Sequence, residues 1–221
     1  MSEREFVIAE QFDDAEQQRE AGALGMWVFL ATEILFFGGL FATYTVYRDM
    51  NPVIFDRASQ TLDIGWGTIN TIVLILSSFT MAMAVYSSQT GRRRLLPFFL
   101  ICTIILGCAF LGIKGLEYYH KYVLHHIPGH GFQLGPELAG LDEGKTQIFF
   151  ALYFAMTGLH AVHMIIGISV ITVLLVMALR GRFTPQYHTP VEVSGLYWHF
   201  VDIIWIFLYP LLYLMGLHLP H

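Results

Sequence analysis

The sequence predicts an all-α integral membrane protein, a bundle of five transmembrane helices with the N-terminus inside and the C-terminus outside. Three observations carry that expectation. Of 221 residues, 55% are hydrophobic and only 13% are charged, with a mean hydropathy of +0.57, too apolar for a soluble domain of this length. Five apolar runs, at about 22–47, 66–89, 95–118, 147–179 and 191–217, are each long enough to cross a hydrocarbon core, which takes roughly 20 helical residues. The period-two alternation of a transmembrane β-barrel is absent from these runs.

The elements follow in order. Residues 1–21 form a polar, acidic tail, MSEREFVIAEQFDDAEQQRE and one residue more, with no basic region leading into a short apolar core, so a cleaved signal peptide is not expected. Residues 22–217 make one five-helix membrane domain, and 218–221 a short outer tail. Turn chemistry separates the spans at Asn51-Pro52, Gly91, Pro128-Gly129, Gly135-Pro136 and Pro185. The fourth run would extend about 50 Å as a helix and must tilt or protrude. With the N-terminus inside, cytoplasmic segments hold Arg4, Arg19, Arg92, Arg93, Arg94, Arg180 and Arg182, against Arg48, Arg57, Lys121 and Lys145 outside. The net charge of -5 comes with no basic patch of nucleic-acid size. Gly38 with Ala42, and Ala151 with Ala155, are small-xxx-small pairs that would let helices approach closely. Cys102 and Cys108 read as small core residues of one helix rather than a disulfide.

Ionisable residues inside the spans are the candidate functional positions, because each is costly in lipid. Glu33 sits among Phe29, Leu30, Phe36 and Phe37 with no cation in its own segment, and is expected largely protonated. It reads equally as a proton-accepting carboxyl near a cleft or as a neutral acid bonded in the bundle. Lys114 and Glu117 lie three apart and form an expected ion pair near the outer end of the third span, able to snorkel to water. His160 and His163 are one turn apart in the fourth span and His199 lies in the fifth. Interior histidines that hydrogen-bond within the bundle are the main reading, and a metal or haem site the lesser one, since a site needs three or four converging ligands. His199 and Asp202 share one face of the last span, an expected docking or function surface. The outer loop with His120, His125, His126 and His130 matches no closed zinc pattern and reads as an interfacial loop. No phosphate-binding glycine loop or nucleophile elbow is present in the sequence.

Four stretches taken together resemble successive signature segments of haem-copper oxidase subunit III: GMWVFLATEILFFGGLFATY, KGLEYYHKY, YFAMTGLHAVHMIIG and GLYWHFVDIIWIFLYPLLYL. The resemblance covers about the last 200 residues and is most like bacterial cytochrome c oxidase subunit III in its five-span form. It implies a non-catalytic subunit of a respiratory, proton-pumping terminal oxidase in the bacterial cytoplasmic membrane. Such a subunit stabilises subunit I through turnover and supports its proton uptake. It implies no cofactor in this chain, haem and copper in partner subunits, and bound phospholipid. The partners implied are subunit I, subunit II and possible further respiratory subunits, with membrane lipids and no nucleic acid. By position, Glu33 corresponds to a buried glutamate near the family's lipid cleft, and Arg180 to a loop arginine on lipid headgroups. Glu117, His160, His163, His199 and Asp202 correspond to positions of polar packing, none of them a metal ligand. The first two helices of the seven-span form are missing here. Five-span relatives also occur as subunit III of quinol oxidases and as accessory proteins of nitric oxide reductase, which are the alternatives. The rival of another class is a stand-alone proton channel or transporter, with Glu33, Asp202 and the interior histidines along a path.

Overall fold

In the computed structural model, which describes residues 11–129, 131–185 and 187–218, six helices account for most of the chain. Residues 1–10 of the tail with Arg4, loop residue His130, and 219–221 of the outer tail with His221 lie outside the described residues. The helices are α1 (Ala15–Met50), α2 (Pro52–Gln60), α3 (Ile64–Gln89), α4 (Leu95–Val123), α5 (Glu143–Leu179) and α6 (Thr189–Tyr209). All except α2 are long and apolar enough to span a membrane, and the last span continues through a π-helical turn to Leu214. The helix α5 has 37 residues, roughly 55 Å at about 1.5 Å per residue, longer than a hydrocarbon core of about 30 Å.

Short polar side chains start the spans where the sequence leaves the apolar runs. Asp14, Asp63 and Asp142 each accept a hydrogen bond from the backbone N–H three residues on, capping α1, α3 and α5. The nine-residue α2 was not anticipated in the sequence. Pro52 opens it, and Phe55, Asp56, Ala58 and Ser59 are buried, so it lies as an amphipathic cap over one end of the bundle. Arg48 at the end of α1 pairs with Asp56 at 2.7 Å and bonds the Met215 carbonyl, tying α1, α2 and the chain's end together.

Helices α3, α4, α5 and α6 pack around one another, while α1 leans on α5 and α6 at the edge. The close approaches come from glycines that the small-residue pattern did not single out. Trp198 of α6 is fully buried between Gly107 of α4 and Gly167 of α5, where an added Cβ would come within 2.9 Å of its ring. Gly38, Ala42, Ala151 and Ala155 are all exposed instead, so neither small-xxx-small pair is a seam within the chain. A pattern of small residues shows where helices could approach, but not which face is turned inward. Cys108 is likewise exposed and Cys102 half-buried, both as free thiols, so neither is a core residue in the full sense.

Candidate functional site: two polar clusters within the spans

The first cluster is closed. Lys114 and Glu117 face inward from α4, 4% and 8% exposed, with Nζ 2.9 Å from Oε2. Two tyrosines complete it. Tyr153 of α5 donates to Glu117 Oε1 at 2.7 Å, and Tyr213, carried by the π-helical turn after α6, donates to the same oxygen. Lys114 Nζ in turn donates to the Tyr213 oxygen at 2.7 Å and lies 5.0 Å over the Trp205 ring. A buried ion pair offsets its desolvation only when further hydrogen bonds occupy the remaining sites, and here they do. The expected pair is therefore present, but it does not snorkel to water; it pins α4, α5 and the end of α6 together.

Glu33 of α1 meets His163 of α5, with Oε2 and Nε2 3.2 Å apart, so the partner missing from its own segment comes from another helix. His163 Nδ1 lies 2.9 Å from the Leu159 carbonyl, which can only accept, so Nδ1 carries a proton. The other ring nitrogen, Nε2, faces the Glu33 carboxyl. This is a polar contact between the edge helix α1 and α5, separate from the Arg48–Asp56 pair at the end of α1. Phe29 and Phe36 beside it are exposed, whereas Leu30 and Phe37 are buried.

His160 does not join His163. It is 1% exposed, packed 5.3 Å from the Phe110 ring and 5.2 Å from Trp205, and neither ring nitrogen has a hydrogen-bond partner. The expectation of a hydrogen-bonded interior histidine thus holds for His163 and fails for His160, which is held by ring packing. His199 faces α3 rather than these two. Among the described residues no group of three or more His, Cys, Asp or Glu side chains converges.

The second cluster is open. Between α3 and α6 runs a groove of about 430 Å³ whose polar floor is formed by Ser78, His199, Asp202 and Thr71. His199 Nδ1 bonds the Ser78 hydroxyl at 2.8 Å, and Trp205 Nε1 donates to Thr71 at 3.1 Å. Asp202 is 4% exposed; the Ser78 hydroxyl is the side chain that acts on its carboxyl, and neither oxygen makes a close hydrogen bond among the described residues. His199 and Asp202 do share a surface as their spacing implies. They do not bond each other: His199 ties α6 to α3 through Ser78, and Asp202 lines the groove beside it.

At the other positions, Arg180 caps the C-terminal end of α5 and is exposed. His126, in a loop expected to be interfacial, is buried against Phe150 and Phe132 with both nitrogens unpartnered. Burial, helped by the nearby Lys121 cation, holds its imidazole below its ordinary pKa. The sequence did not single out Tyr153, Tyr213 or Ser78. The only advance signal for the tyrosines was that a buried lysine and glutamate need more partners than each other.

Comparison with known proteins now bears on this arrangement. Residues 145–217 match the family model described as cytochrome c oxidase subunit III. The quinol oxidase subunit 3 of Bacillus subtilis is 35% identical over 207 residues, covering 91% of this chain and 92% of its own length. The cytochrome c oxidase subunit 3 of Thermostichus vulcanus is 33% identical over 204 residues, 92% of each chain. That of Alkalihalophilus pseudofirmus is 31% identical over 196 residues, 87% of this chain and 86% of its own.

Proposed function

The chain belongs to the haem-copper oxidase subunit III family, and on that premise we propose that it stabilises the haem- and copper-bearing subunit I of a respiratory terminal oxidase. In this reading it sits beside subunits I and II in a bacterial cytoplasmic membrane and supports proton uptake without a redox centre of its own. The observation that carries the reading is Asp202, a carboxyl inside a membrane span whose oxygens make no close hydrogen bond among the described residues. Such a group is costly in lipid and is accounted for when a neighbouring subunit covers it. The polar groups of the interior fall into separate clusters, Lys114 with Glu117, Glu33 with His163, and Asp202 with His199, rather than one continuous path, which favours a subunit over a self-sufficient channel.

The orientation proposed is N-in and C-out. Arg19, Arg92, Arg93, Arg94, Arg180 and Arg182 lie at the end of the bundle where Pro185 packs 2.9 Å from the Cβ position of Gly91, so the two arginine-rich turns are neighbours. At the opposite end Arg48 is paired with Asp56, and Lys121 is buried with its Nζ on the Thr61 carbonyl. Arginine concentrated at one end supports placing that end in the cytoplasm. Arg180 is proposed to meet phospholipid headgroups there. Glu33, between α1 and α5 beside exposed Phe29 and Phe36, is proposed to border lipid and support proton supply.

The relatives include both quinol and cytochrome c enzymes. The cytochrome c donor favoured by the sequence is kept as the proposal, and the test reports on it. The chain, tagged in its native host and purified in mild detergent, should bring down a haem-copper subunit with visible haem bands. Copurifying cytochrome c-binding partners would support that donor, and their replacement by a quinol-reactive assembly would overturn it. A colourless solitary chain would overturn the subunit reading itself.

A further inference from the structure

The four-helix core holds two side chains whose polar atoms are unspent. Asn70 belongs to the buried row of α3 that also carries Gly67, Leu74 and Ser77; it is 0% exposed, and neither its amide nitrogen nor its oxygen has a hydrogen-bond partner among the described residues. His160 of α5 is in the same condition at both ring nitrogens. Both stand around one indole. The His160 ring lies 5.2 Å from Trp205, and Trp205 Nε1 donates to Thr71, the residue after Asn70. One turn from Asn70, the Cβ position of Gly67 is 3.1 Å from the Tyr213 ring, which lies 6.5 Å from the same Trp205. Phe110 of α4 packs 4.8 Å from that indole, so α3, α4, α5 and α6 all contribute to the layer.

We propose that this layer binds ordered internal water, held by the Asn70 amide and by the His160 imidazole. Polar atoms buried at this depth are closed to bulk water and to lipid alike, and groups of this kind are as a rule satisfied by protein or by an internal water. The chemistry of the two side chains selects the occupant. A carboxamide presents two donors and an acceptor, and a neutral imidazole one of each, so the occupant must both donate and accept. It must also be uncharged. Lys114, 5.0 Å over the Trp205 ring, is already neutralised by Glu117, and an added ion would have no counter-charge. Water meets both conditions, and buried waters typically make about three hydrogen bonds to groups otherwise left over. Its consequence is that α3 and α5 are held at this level by directional bonds as well as by ring packing. The site lies wholly within this chain and is independent of the assembly proposed above.

The test is a cryo-electron-microscopy map of the natural chain in the assembly it purifies with, at a resolution that shows ordered water. Separate density peaks are expected at hydrogen-bond distance, about 2.7 to 3.2 Å, from an Asn70 amide atom and from a His160 ring nitrogen. Asn70→Leu should remove the peak at residue 70, and His160→Phe the peak at residue 160. A second reading needs no map of a variant: with nitrogen-15-labelled histidine, magnetisation should pass from water to the His160 ring, in a signal identified by its loss in His160→Phe. Side chains without adjacent peaks, or rotated to bond protein groups directly, overturn the proposal. So does acyl-chain or detergent density in the layer, or a His160 ring signal that receives nothing from water.

Discussion

The Lys114–Glu117 cluster and the Asp202 groove hold the same kind of cargo, buried charge-bearing groups inside membrane helices, and treat it in opposite ways. In the first, two tyrosines from other elements occupy the oxygens and ammonium protons that the ion pair leaves over. In the second, a carboxyl equally removed from solvent has only the Ser78 hydroxyl beside it and no close hydrogen bond among the described residues. The difference teaches that a polar residue in a membrane span has to be read together with the place its hydrogen bonds go. Closed on itself, it holds the bundle; open to the lipid face, it marks where another chain belongs.

Breaking the closed cluster should have the largest effect. Glu117→Ala leaves Lys114 buried without its counter-charge and is expected to cost roughly 3 to 5 kcal/mol of bundle stability, measured by thermal unfolding in detergent. The double change Lys114→Met with Glu117→Leu should recover most or all of that loss, since two apolar side chains carry no uncompensated charge. Recovery of less than half would mean that the tyrosines, not the pair, dominate. Smaller, at about 1 to 3 kcal/mol, is the effect expected of Gly167→Ala, which drives a methyl into the Trp198 ring; an unchanged melting temperature would show that the ring can yield. Glu33→Gln should leave haem content intact and shorten the period of sustained turnover, as followed by oxygen consumption; loss of haem would contradict its assignment to lipid or proton supply.

The smallest effect is a pH dependence of the loop between α4 and α5. His126 faces Lys121, Glu137 and His120, and its folded pKa lies below the unfolded value of about 6.5. Between those two values the unfolded loop binds the proton and the folded loop does not. The contribution of His126 is therefore fully present above pH 6.5 and declines as pH falls below it. Protease cleavage within 124–142 should accelerate below about pH 6 in the natural chain and lose that dependence in His126→Phe.

The five spans were legible because lipid leaves a chain few options: about 20 apolar residues in a row must become a helix. Observed and expected ends differ by a few residues, most at the start of α1 and the end of α4, where polar helix turns extend past the apolar run. The helix α2 was hidden because PVIFDRASQ is short and amphipathic and follows turn residues, so nothing in hydropathy marks it. Lys114 with Glu117 was visible as an i,i+3 pair. Tyr153 and Tyr213 were not, since they lie 36 and 96 residues from Glu117 and only packing brings them in. The partnership of Glu33 with His163 was hidden for the same reason, and the separate paths of His160 and His163 depend on small rotations about α5 that spacing does not fix. Asp202 was visible as an anomaly of cost, and its lack of a close hydrogen bond among the described residues became visible only with the neighbouring helices in place.

The measurement closest to the centre of this account is thermal unfolding of the purified chain in detergent, followed by tryptophan fluorescence, for Glu117→Ala and Asp202→Leu side by side. The account predicts a large drop in melting temperature for Glu117→Ala and none, or a small rise, for Asp202→Leu, because only the first removes a closely bonded internal partner. A drop for Asp202→Leu as large as that for Glu117→Ala would show that Asp202 clamps its own bundle, and the contrast between a closed and an open cluster would fail.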